Sequence, residues 1–387
     1  TLPAVVADSS ASHVDTRALA QRLVSRSARI REGDLVVILG GTRDQALLED
    51  LALASEKAGA DPLVVLESDR MTRGYYDHVP AKFDDRPSEM WRRLAGFVTA
   101  SFAIDAGETD TLLRGVPPAR RAARMRAMQP VMDLFRRRNL RQVALGNGLY
   151  PTEERARQFG MTRAQLEHIF WRGVDVDYDA LQATGERVRR VLAGGKEVRL
   201  THPNGTDLTL RIAGRPVFVS DGVISAEDER RGGAATLVWL PAGEVFLAPV
   251  PGSANGVVVA DHYAFEGRTI ERLRLEFKDG EMVAMTAGSD MAALRAFYDA
   301  APAGKAELGV LDIGINPNVE IPEGSTLAAW MPAGMVTLSL GSNDWAGGTN
   351  QPVSGVSPFL AGTTLTVDGV PLVKAGRLQV SAPIAAR

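Results

Sequence analysis

The first half of the chain alternates short apolar runs with amphipathic segments, and this alternation constrains the fold more than any other feature. Between the first two runs, residues 42–60 carry apolar side chains at helical spacing and stop at Gly59. Strand, helix and strand in this order predict a parallel sheet with helices on both faces, which is an α/β domain. The four runs that predict buried strands are DLVVILGG (34–41), DPLVVLES (61–68), GFVTASFAID (96–105) and RQVALGNG (141–148).

The pattern changes near residue 195. Residues 152–195 read as three helices, the last of which ends at a double glycine. From Lys196 onward, alternating runs are separated by hairpin-type turns such as HPNG and KDG. We therefore predict an α/β domain with a helical C-terminal segment over residues 1–195, and a β-rich α+β domain that carries the active site over residues 196–387.

Composition excludes several classes of function. The net charge of −3 gives no global attraction to nucleic acid or to an acidic membrane, and no run of about 18 apolar residues predicts a membrane span. The arginine-rich stretch 117–142 has too few aromatic residues to stack on bases, so we interpret it as a pair of solvated helices. The absence of cysteine excludes disulfides, thiolate ligands and a cysteine nucleophile. It fits either the cytoplasm or an oxidising compartment, and the start at Thr1 leaves a removed leader open.

Two stretches of the second half are candidates for a functional site. The segment GMVTLSLGSNDWAGGTNQPVSGVSPF (334–359) is rich in glycine, asparagine and hydroxyl groups, which is typical of an active-site lining, yet it has no histidine. The five histidines of the chain lie too far apart for metal-ligand spacings, and only His262 is a functional candidate. Glu244 stands among few other charges, and a carboxylate there must be exposed, paired or liganded because burying it alone is costly.

The segment around Glu244 also carries a family resemblance. GEVFLAPV, followed by ANGVVVAD, resembles a conserved segment of the thermophilic metalloaminopeptidases, the aminopeptidase T and aminopeptidase S family. NGTDLTLRIAGR, AELGVLDIGINPN, GMVTLSLGSN and VDGVPLVKAGRL resemble further blocks of that family in the same order, so the resemblance covers nearly the whole chain. It implies an α/β N-terminal domain, a β-rich C-terminal domain with the site, and a homodimer. The 2,5-dihydroxypyridine dioxygenases share this fold.

The resemblance also implies a metal centre, which this sequence matches poorly. The family holds two divalent metals, cobalt or zinc, with two glutamates, two histidines, an aspartate and a tyrosine. Glu244 matches the first glutamate, whereas five of the six expected ligands are missing. Val310 stands at the position of the second glutamate, and Glu307 and Asp312 lie near that position but are displaced from it. Thr337 stands at the position of the first histidine, and Asp344 or Trp345 at that of the tyrosine. Gly355 and Ser357 stand at the positions of the His-x-Asp pair.

Three hypotheses remain open at this point. The first is an aminopeptidase-like hydrolase that acts on a peptide or small amide and has a degenerate or altered metal site. In this hypothesis the catalytic residues are Glu244, Thr337, Asp344 and Ser357. The substrate-binding residues are Asp312, Asn316, Trp345, Asn350 and Ser354. The second is a metallopeptidase with the oxygen ligands Glu244, Asp312 and Asp344, which suit manganese or magnesium better than zinc or cobalt. The third is a non-catalytic ligand-binding protein with Trp345 as a stacking surface. The cofactor is accordingly either none or a divalent metal.

Overall fold

The computed structural model describes residues 14–109, 111–351 and 355–380. Its ten α-helices within these ranges are α1 (Thr16–Arg22), α2 (Gln45–Lys57), α3 (Asp69–His78), α4 (Glu89–Ala95), α5 (Pro118–Arg137), α6 (Glu153–Gln158), α7 (Arg163–Val174), α8 (Tyr178–Gly194), α9 (Ala226–Arg231) and α10 (Ala292–Ala300). Its strands within the same ranges are β1 (Leu35–Gly40), β2 (Asp61–Leu66), β3 (Ala100–Ile104), β4 (Arg141–Leu145), β5 (Glu197–His202), β6 (Thr206–Arg211), β7 (Phe218–Ser220), β8 (Leu237–Leu240), β9 (Glu244–Leu247), β10 (Asn255–Phe265), β11 (Arg268–Lys278), β12 (Glu281–Thr286), β13 (Leu308–Gly314), β14 (Val336–Leu340), β15 (Thr364–Val367), β16 (Val370–Lys374) and β17 (Arg377–Leu378).

A five-stranded parallel sheet forms the N-terminal part, in the order β2-β1-β3-β4-β8. Its central side chains, such as Ile38 and Phe102, are completely buried. The helix predicted after β1 is present as α2, and α7 begins with the capping box of Thr162 and Gln165 that the sequence indicates. The predicted α/β architecture is confirmed. The arginine-rich stretch, by contrast, forms the single long helix α5 with Pro130 inside it, and not the pair of helices that we expected.

The fifth strand of the parallel sheet comes from the second half of the chain. β8 pairs with β4 in parallel, with Val143 opposite Val238, and therefore lies beyond the predicted boundary at residue 195. The local pattern indicates a strand here but not the sheet to which it belongs, because its partner lies about a hundred residues earlier. The chain then makes a Pro-Ala-Gly turn and enters β9, so the parallel sheet leads directly into the site region. The division into domains at residue 195 stays a prediction.

Two antiparallel sheets make up the C-terminal part. The larger has the order β12-β11-β10-β6-β5-β15-β16-β17, and its hairpins turn at the predicted HPNG and KDG segments. At the second turn Asp279 and Gly280 both have positive φ, which suits a tight hairpin. The smaller sheet has the order β14-β13-β9-β7. The predicted β-rich C-terminal part is confirmed, and within the described ranges no helix is long and apolar enough to cross a bilayer.

Candidate active site

The small sheet brings three predicted site residues to one face. β13 pairs antiparallel with β9, with Gly314 opposite Glu244, and with β14, where Asp312 lies opposite Thr337. Because side chains alternate between the faces of a sheet, Glu244, Asp312 and Thr337 project from the same face. We call Glu244 and Asp312 the carboxyl pair. The two side chains are diagonal neighbours on adjacent strands.

The carboxyl pair is almost completely shielded from water. Glu244 is 4% exposed, Asp312 is 3% exposed and Thr337 is 0% exposed. The Oε1 atom of Glu244 accepts a hydrogen bond of 2.5 Å from Nδ2 of Asn147, which also donates to the carbonyl of Pro241 at 3.2 Å. The Oδ1 atom of Asp312 and the Oγ1 atom of Thr337 are buried and accept or donate no hydrogen bond within the described chain. Two buried oxygen atoms on this face are therefore unsatisfied.

Burial and mutual repulsion keep protons on the carboxyl pair. Burial raises the pKa of Glu244 to about 7, and the hydrogen bond from Asn147 opposes this rise. Burial also raises the pKa of Asp312 well above its usual range, and the nearby charge of Glu244 raises it further. No cation of the described chain forms a salt bridge with either carboxyl group. The pair therefore resembles two carboxyl groups that share a proton more than two free carboxylates.

An aromatic cluster fills the rest of this face. Phe218, Trp239, Phe246 and Trp345 form it, with Phe246 opposite Asp312 on the neighbouring strand. The Trp345 ring centroid lies 5.2 Å from that of Phe246 and 5.8 Å from that of Trp239. Val310, at the position of the second glutamate, packs in the same apolar cluster. Trp345 is half-buried and packs against two rings of this cluster, and its predicted role as a stacking surface stays a prediction.

The position of the expected second histidine has no room for a side chain. A Cβ atom on Gly355 would lie 1.7 Å from the carbonyl oxygen of Leu340, so only glycine fits this backbone. Residue 357 follows two positions later, and the Oγ of Ser357 donates to that of Ser339 at 3.0 Å. Backbone bonds link residues 356–360 to β14, which places Ser357 along the neighbouring edge of the site face.

Other predicted residues have partners inside the protein. Asp344 forms a salt bridge with Arg136 at 2.5 Å, which joins the site segment to α5. The amide of Asn316 donates to the carbonyls of Gly173 and Ala242, and is completely buried. The amide of Asn350 likewise donates to two backbone carbonyls, those of residues 304 and 341. These side chains hold loops together, so their polar groups are already used. Ser354 lies outside the described residues.

The residues present do not fit the two-metal centre that the resemblance implies. Nowhere in ranges 14–109, 111–351 and 355–380 do three or more histidine, cysteine, aspartate or glutamate side chains gather in a group that could hold a metal ion. Gly355 cannot carry a ligand, Val310 is apolar, and Asp344 is paired with Arg136. Zinc and cobalt centres require several nitrogen or carboxylate ligands around each ion. The carboxyl pair alone does not supply them.

Two cavities of the described chain lie away from the carboxyl pair. One, of about 330 Å³, is lined by α7 and the segment 318–323 and includes His168 and Arg172. The other, of about 170 Å³, includes His262 and Phe359. His262 forms an exposed contact of 2.7 Å between its Nδ1 atom and Glu271 on the neighbouring strand. The functional candidate His262 therefore does not join the residues at the small sheet.

Asn147 is the site residue that the sequence analysis missed. It lies in the sequence GNG immediately after β4, at the carboxyl edge of the parallel sheet, and its own φ is +45°. Ligand-binding residues of α/β sheets concentrate at this edge. An asparagine between two glycines directly after a buried strand is a signal that could have identified it.

Comparison with known proteins places this geometry in a family. The sequence model described as thermophilic metalloprotease (M29) matches residues 13–313. Aminopeptidase PepS of Streptococcus thermophilus is 39% identical over 84 residues, and the match spans 21% of this chain and 19% of that protein. The chain thus aligns with only about a fifth of the length of this curated relative.

Two solved structures share the fold. Wild-type AmpT from Thermus thermophilus superposes with a TM-score of 0.73 at 20% identity, over 94% of this chain and 99% of that chain. The 2,5-dihydroxypyridine dioxygenase of Pseudomonas putida KT2440 superposes with a TM-score of 0.61 at 13% identity, over 96% and 98% of the two chains. The resemblance noted in the sequence is confirmed, and aminopeptidase-like function is supported at the level of the family. This chain belongs to the thermophilic metalloprotease (M29) family.

Proposed function

We propose that this protein hydrolyses a peptide or a small amide-type substrate with its carboxyl pair in place of the family's two-metal centre. The observation that carries the proposal is the pair itself: Glu244 and Asp312 are buried on one face of the small sheet, and the Oδ1 of Asp312 is unsatisfied there. Burying two carboxyl groups without a cation is costly, and such arrangements are most common at functional sites.

The chemistry follows from two carboxyl groups that hold one proton between them. The ionised carboxylate takes a proton from a water molecule, whose oxygen attacks the amide carbon of the substrate. The protonated partner then donates its proton to the amide nitrogen as the C–N bond breaks, which yields an acid and an amine. Thr337 lies opposite Asp312, and its free hydroxyl is suited to donate to the developing oxyanion. The pair again holds one proton, now on the group that took it from water, and return of this proton to the other carboxyl group restores the starting state.

The aromatic cluster sets a structural requirement for this reaction. Because Glu244 and Asp312 are only 4% and 3% exposed, a substrate reaches the carboxyl pair only if the surrounding face opens. Trp345 belongs to the short segment 344–346, which the Arg136 salt bridge holds against α5. Movement of this segment would uncover Phe246, which lies opposite Asp312 on the neighbouring strand.

Hydrolysis in the presence of a chelator tests the proposal. Purified protein is assayed with aminoacyl-p-nitroanilides and small amides, with and without EDTA. We expect chelator-resistant turnover that falls by about 100-fold or more in Glu244→Gln and Asp312→Asn. Asp221→Asn is the matched control, because Asp221 is a half-buried carboxyl away from the pair whose pKa burial also raises to about 7, and its side chain accepts from the backbone of Val223. Unchanged turnover in both pair variants would refute the proposed roles.

A non-catalytic ligand-binding role is the second candidate, and one observation favours it. The aromatic cluster and the 3–4% exposure of the carboxyl pair leave the face closed. A protein that keeps the family fold but binds a ligand without cleaving it would show no turnover with any of these substrates. A ligand that raises the melting temperature without being consumed would then identify this role.

A further inference from the structure

The cavity beside α7 carries charged side chains of both signs. It has a volume of about 330 Å³ and lies between α7 and the segment 318–323, and we call it the α7 cavity. His168 and Arg172 line the helix side, and Glu320 and Glu323 line the opposite side. Pockets for small molecules begin at roughly 300 Å³, so the α7 cavity is large enough for a compact ligand.

The charged groups of the α7 cavity are available to a ligand. His168 and Arg172 lie one turn apart on α7, so their side chains share one face of the helix. The Nη1 atom of Arg172 lies 3.6 Å from Oε1 of Glu320, which is too long for a hydrogen bond, and both side chains are largely exposed. The N–H donors of this guanidinium are therefore unused. Within the described ranges, the side chains of His168 and Glu323 form no hydrogen bond or ion pair.

Hydrogen bonds at both ends fix the segment that forms the outer wall. Asn318 donates to the carbonyl of Arg172 at 3.2 Å, which holds the start of the segment against the last turn of α7. Beyond its other end, the hydroxyl of Ser325 donates to the carbonyl of Pro322 at 2.8 Å. Thr326 donates through its N–H and its hydroxyl to two carbonyls at the end of α6. The cavity is thus preformed, which reduces the entropy that a ligand loses on binding.

The wall between the charged groups is apolar. Ile169, Ile321 and Pro322 form it, and Ile321 is 39% exposed. Such a wall suits the methylene chain of a ligand that carries charges at its ends. Nowhere in the described part of the chain do three or more histidine, cysteine, aspartate or glutamate side chains form a group that could hold a metal ion. These features indicate an organic ligand and not a bare cation.

The charges of the lining define the ligand. Apart from His168, the lining brings one positive charge, that of Arg172, and two negative charges, those of Glu320 and Glu323. A complementary ligand brings two cationic groups and one anionic group on a short aliphatic chain. We propose that the α7 cavity binds a basic α-amino acid, lysine or arginine.

The neighbouring charges determine how the amino acid lies. Its carboxylate and its α-ammonium are adjacent, as are Arg172 and Glu320, so the carboxylate pairs with Arg172 and the α-ammonium with Glu320. The side chain then runs along the apolar wall and places its cation at Glu323. His168, one turn from Arg172, donates to the second carboxylate oxygen. The carboxyl pair is not part of this site, so the proposal is independent of the proposed hydrolysis.

Isothermal titration calorimetry of the full-length protein measures binding without any need for turnover. L-lysine and L-arginine should bind with a Kd at least about 10-fold lower than L-leucine, which lacks the second cation. Nα-acetyl-lysine, which lacks the α-ammonium, should likewise bind about 10-fold more weakly than lysine. No heat of binding up to about 10 mM lysine or arginine, or equal affinity for lysine and leucine, would overturn the proposal.

Variants locate the binding site. Glu323→Gln should remove the preference for lysine over leucine and leave leucine binding unchanged, whereas Arg172→Gln should weaken the binding of both. Arg163→Gln and Glu56→Gln remove exposed charges outside the cavity, so these matched controls should bind lysine like the wild type. A lysine preference that survives in Glu323→Gln, or a lysine affinity that falls only in Glu244→Gln, would overturn the proposal. The latter would mean that the amino acid binds at the carboxyl pair.

Discussion

Replacing Glu244 by glutamine should stabilise the protein, and more so as the pH rises. The glutamine keeps an oxygen that accepts from Asn147, and its new NH₂ group can donate to the unsatisfied Oδ1 of Asp312. It removes the carboxyl group whose ionisation the buried site opposes. The pKa of Glu244 is raised from 4.5 to about 7 in the folded protein. The wild type therefore loses stability as the pH rises from the unfolded value through the folded value.

The size of this effect follows from the same shift. One pKa unit corresponds to about 1.4 kcal/mol, so full ionisation of Glu244 lowers the free energy of unfolding by on the order of 3 kcal/mol. The variant does not carry this loss. Below about pH 4.5 the two proteins should have similar free energies of unfolding. Above about pH 7 the free energy of unfolding of the variant should exceed that of the wild type by about this amount. For a chain of 387 residues this is roughly 4 °C in melting temperature.

Urea unfolding of wild type and Glu244→Gln at pH 5 and pH 8 measures this difference. The free energies of titrating groups outside the carboxyl pair cancel, since both proteins carry them in the same surroundings, whereas Asp312 loses the repulsion of Glu244 in the variant. If the variant exceeds the wild type in free energy of unfolding by more at pH 8 than at pH 5, the result supports a carboxyl pair without a bound cation. A variant that is less stable than the wild type at pH 8 would refute the reasoning, because it would mean that an opposite charge compensates Glu244 in the native protein.

Three further changes have defined outcomes. Asn147→Gly keeps the left-handed backbone but removes the hydrogen-bond donor to Glu244, so the pKa of Glu244 should rise. The part of the pH–rate profile that follows ionisation of the carboxyl pair should therefore move to higher pH. An unchanged profile would mean that this hydrogen bond does not affect the reaction. Gly355→Ala should lower the free energy of unfolding by about 2–4 kcal/mol, measured by chemical denaturation, because its Cβ would overlap a backbone carbonyl; a neutral effect would contradict the register of this segment. Trp345→Ala should lower it by about 3 kcal/mol, whereas a loss below about 1 kcal/mol would indicate a free stacking surface.

Local patterns predicted the four strands of the first half, the helix that follows the first of them and the three helices of residues 152–195. The periods of apolar residues locate β1 to β4 and α2, and the capping box locates the start of α7, because each of these signals lies within a few residues. The assignment of β8 to the parallel sheet could not be predicted, since a short apolar run does not identify its partner strand. Pairing between distant segments is decided by the whole fold.

The candidate site could likewise be predicted only in part, because it depends on contacts between distant segments. Glu244 could be identified from its apolar surroundings, but Asn147, which holds it, lies 97 residues earlier. Asp344 appeared suited to catalysis until the fold brought Arg136 to it from 208 residues away. The register of β13 with β14 decides that Asp312 faces Thr337. These relations depend on which strands pair and in what register, and no local signal in the sequence encodes that.

Metal content per chain tests most directly whether the carboxyl pair has replaced the two-metal centre. Protein purified without a nickel column would be analysed by inductively coupled plasma mass spectrometry, before and after incubation with zinc, cobalt or manganese and desalting. We predict well under one tightly held ion per chain in every case, because the described residues offer no ligand set beyond the two carboxyl groups. Two ions per chain, lost to a chelator together with activity and absent from Glu244→Gln, would contradict it.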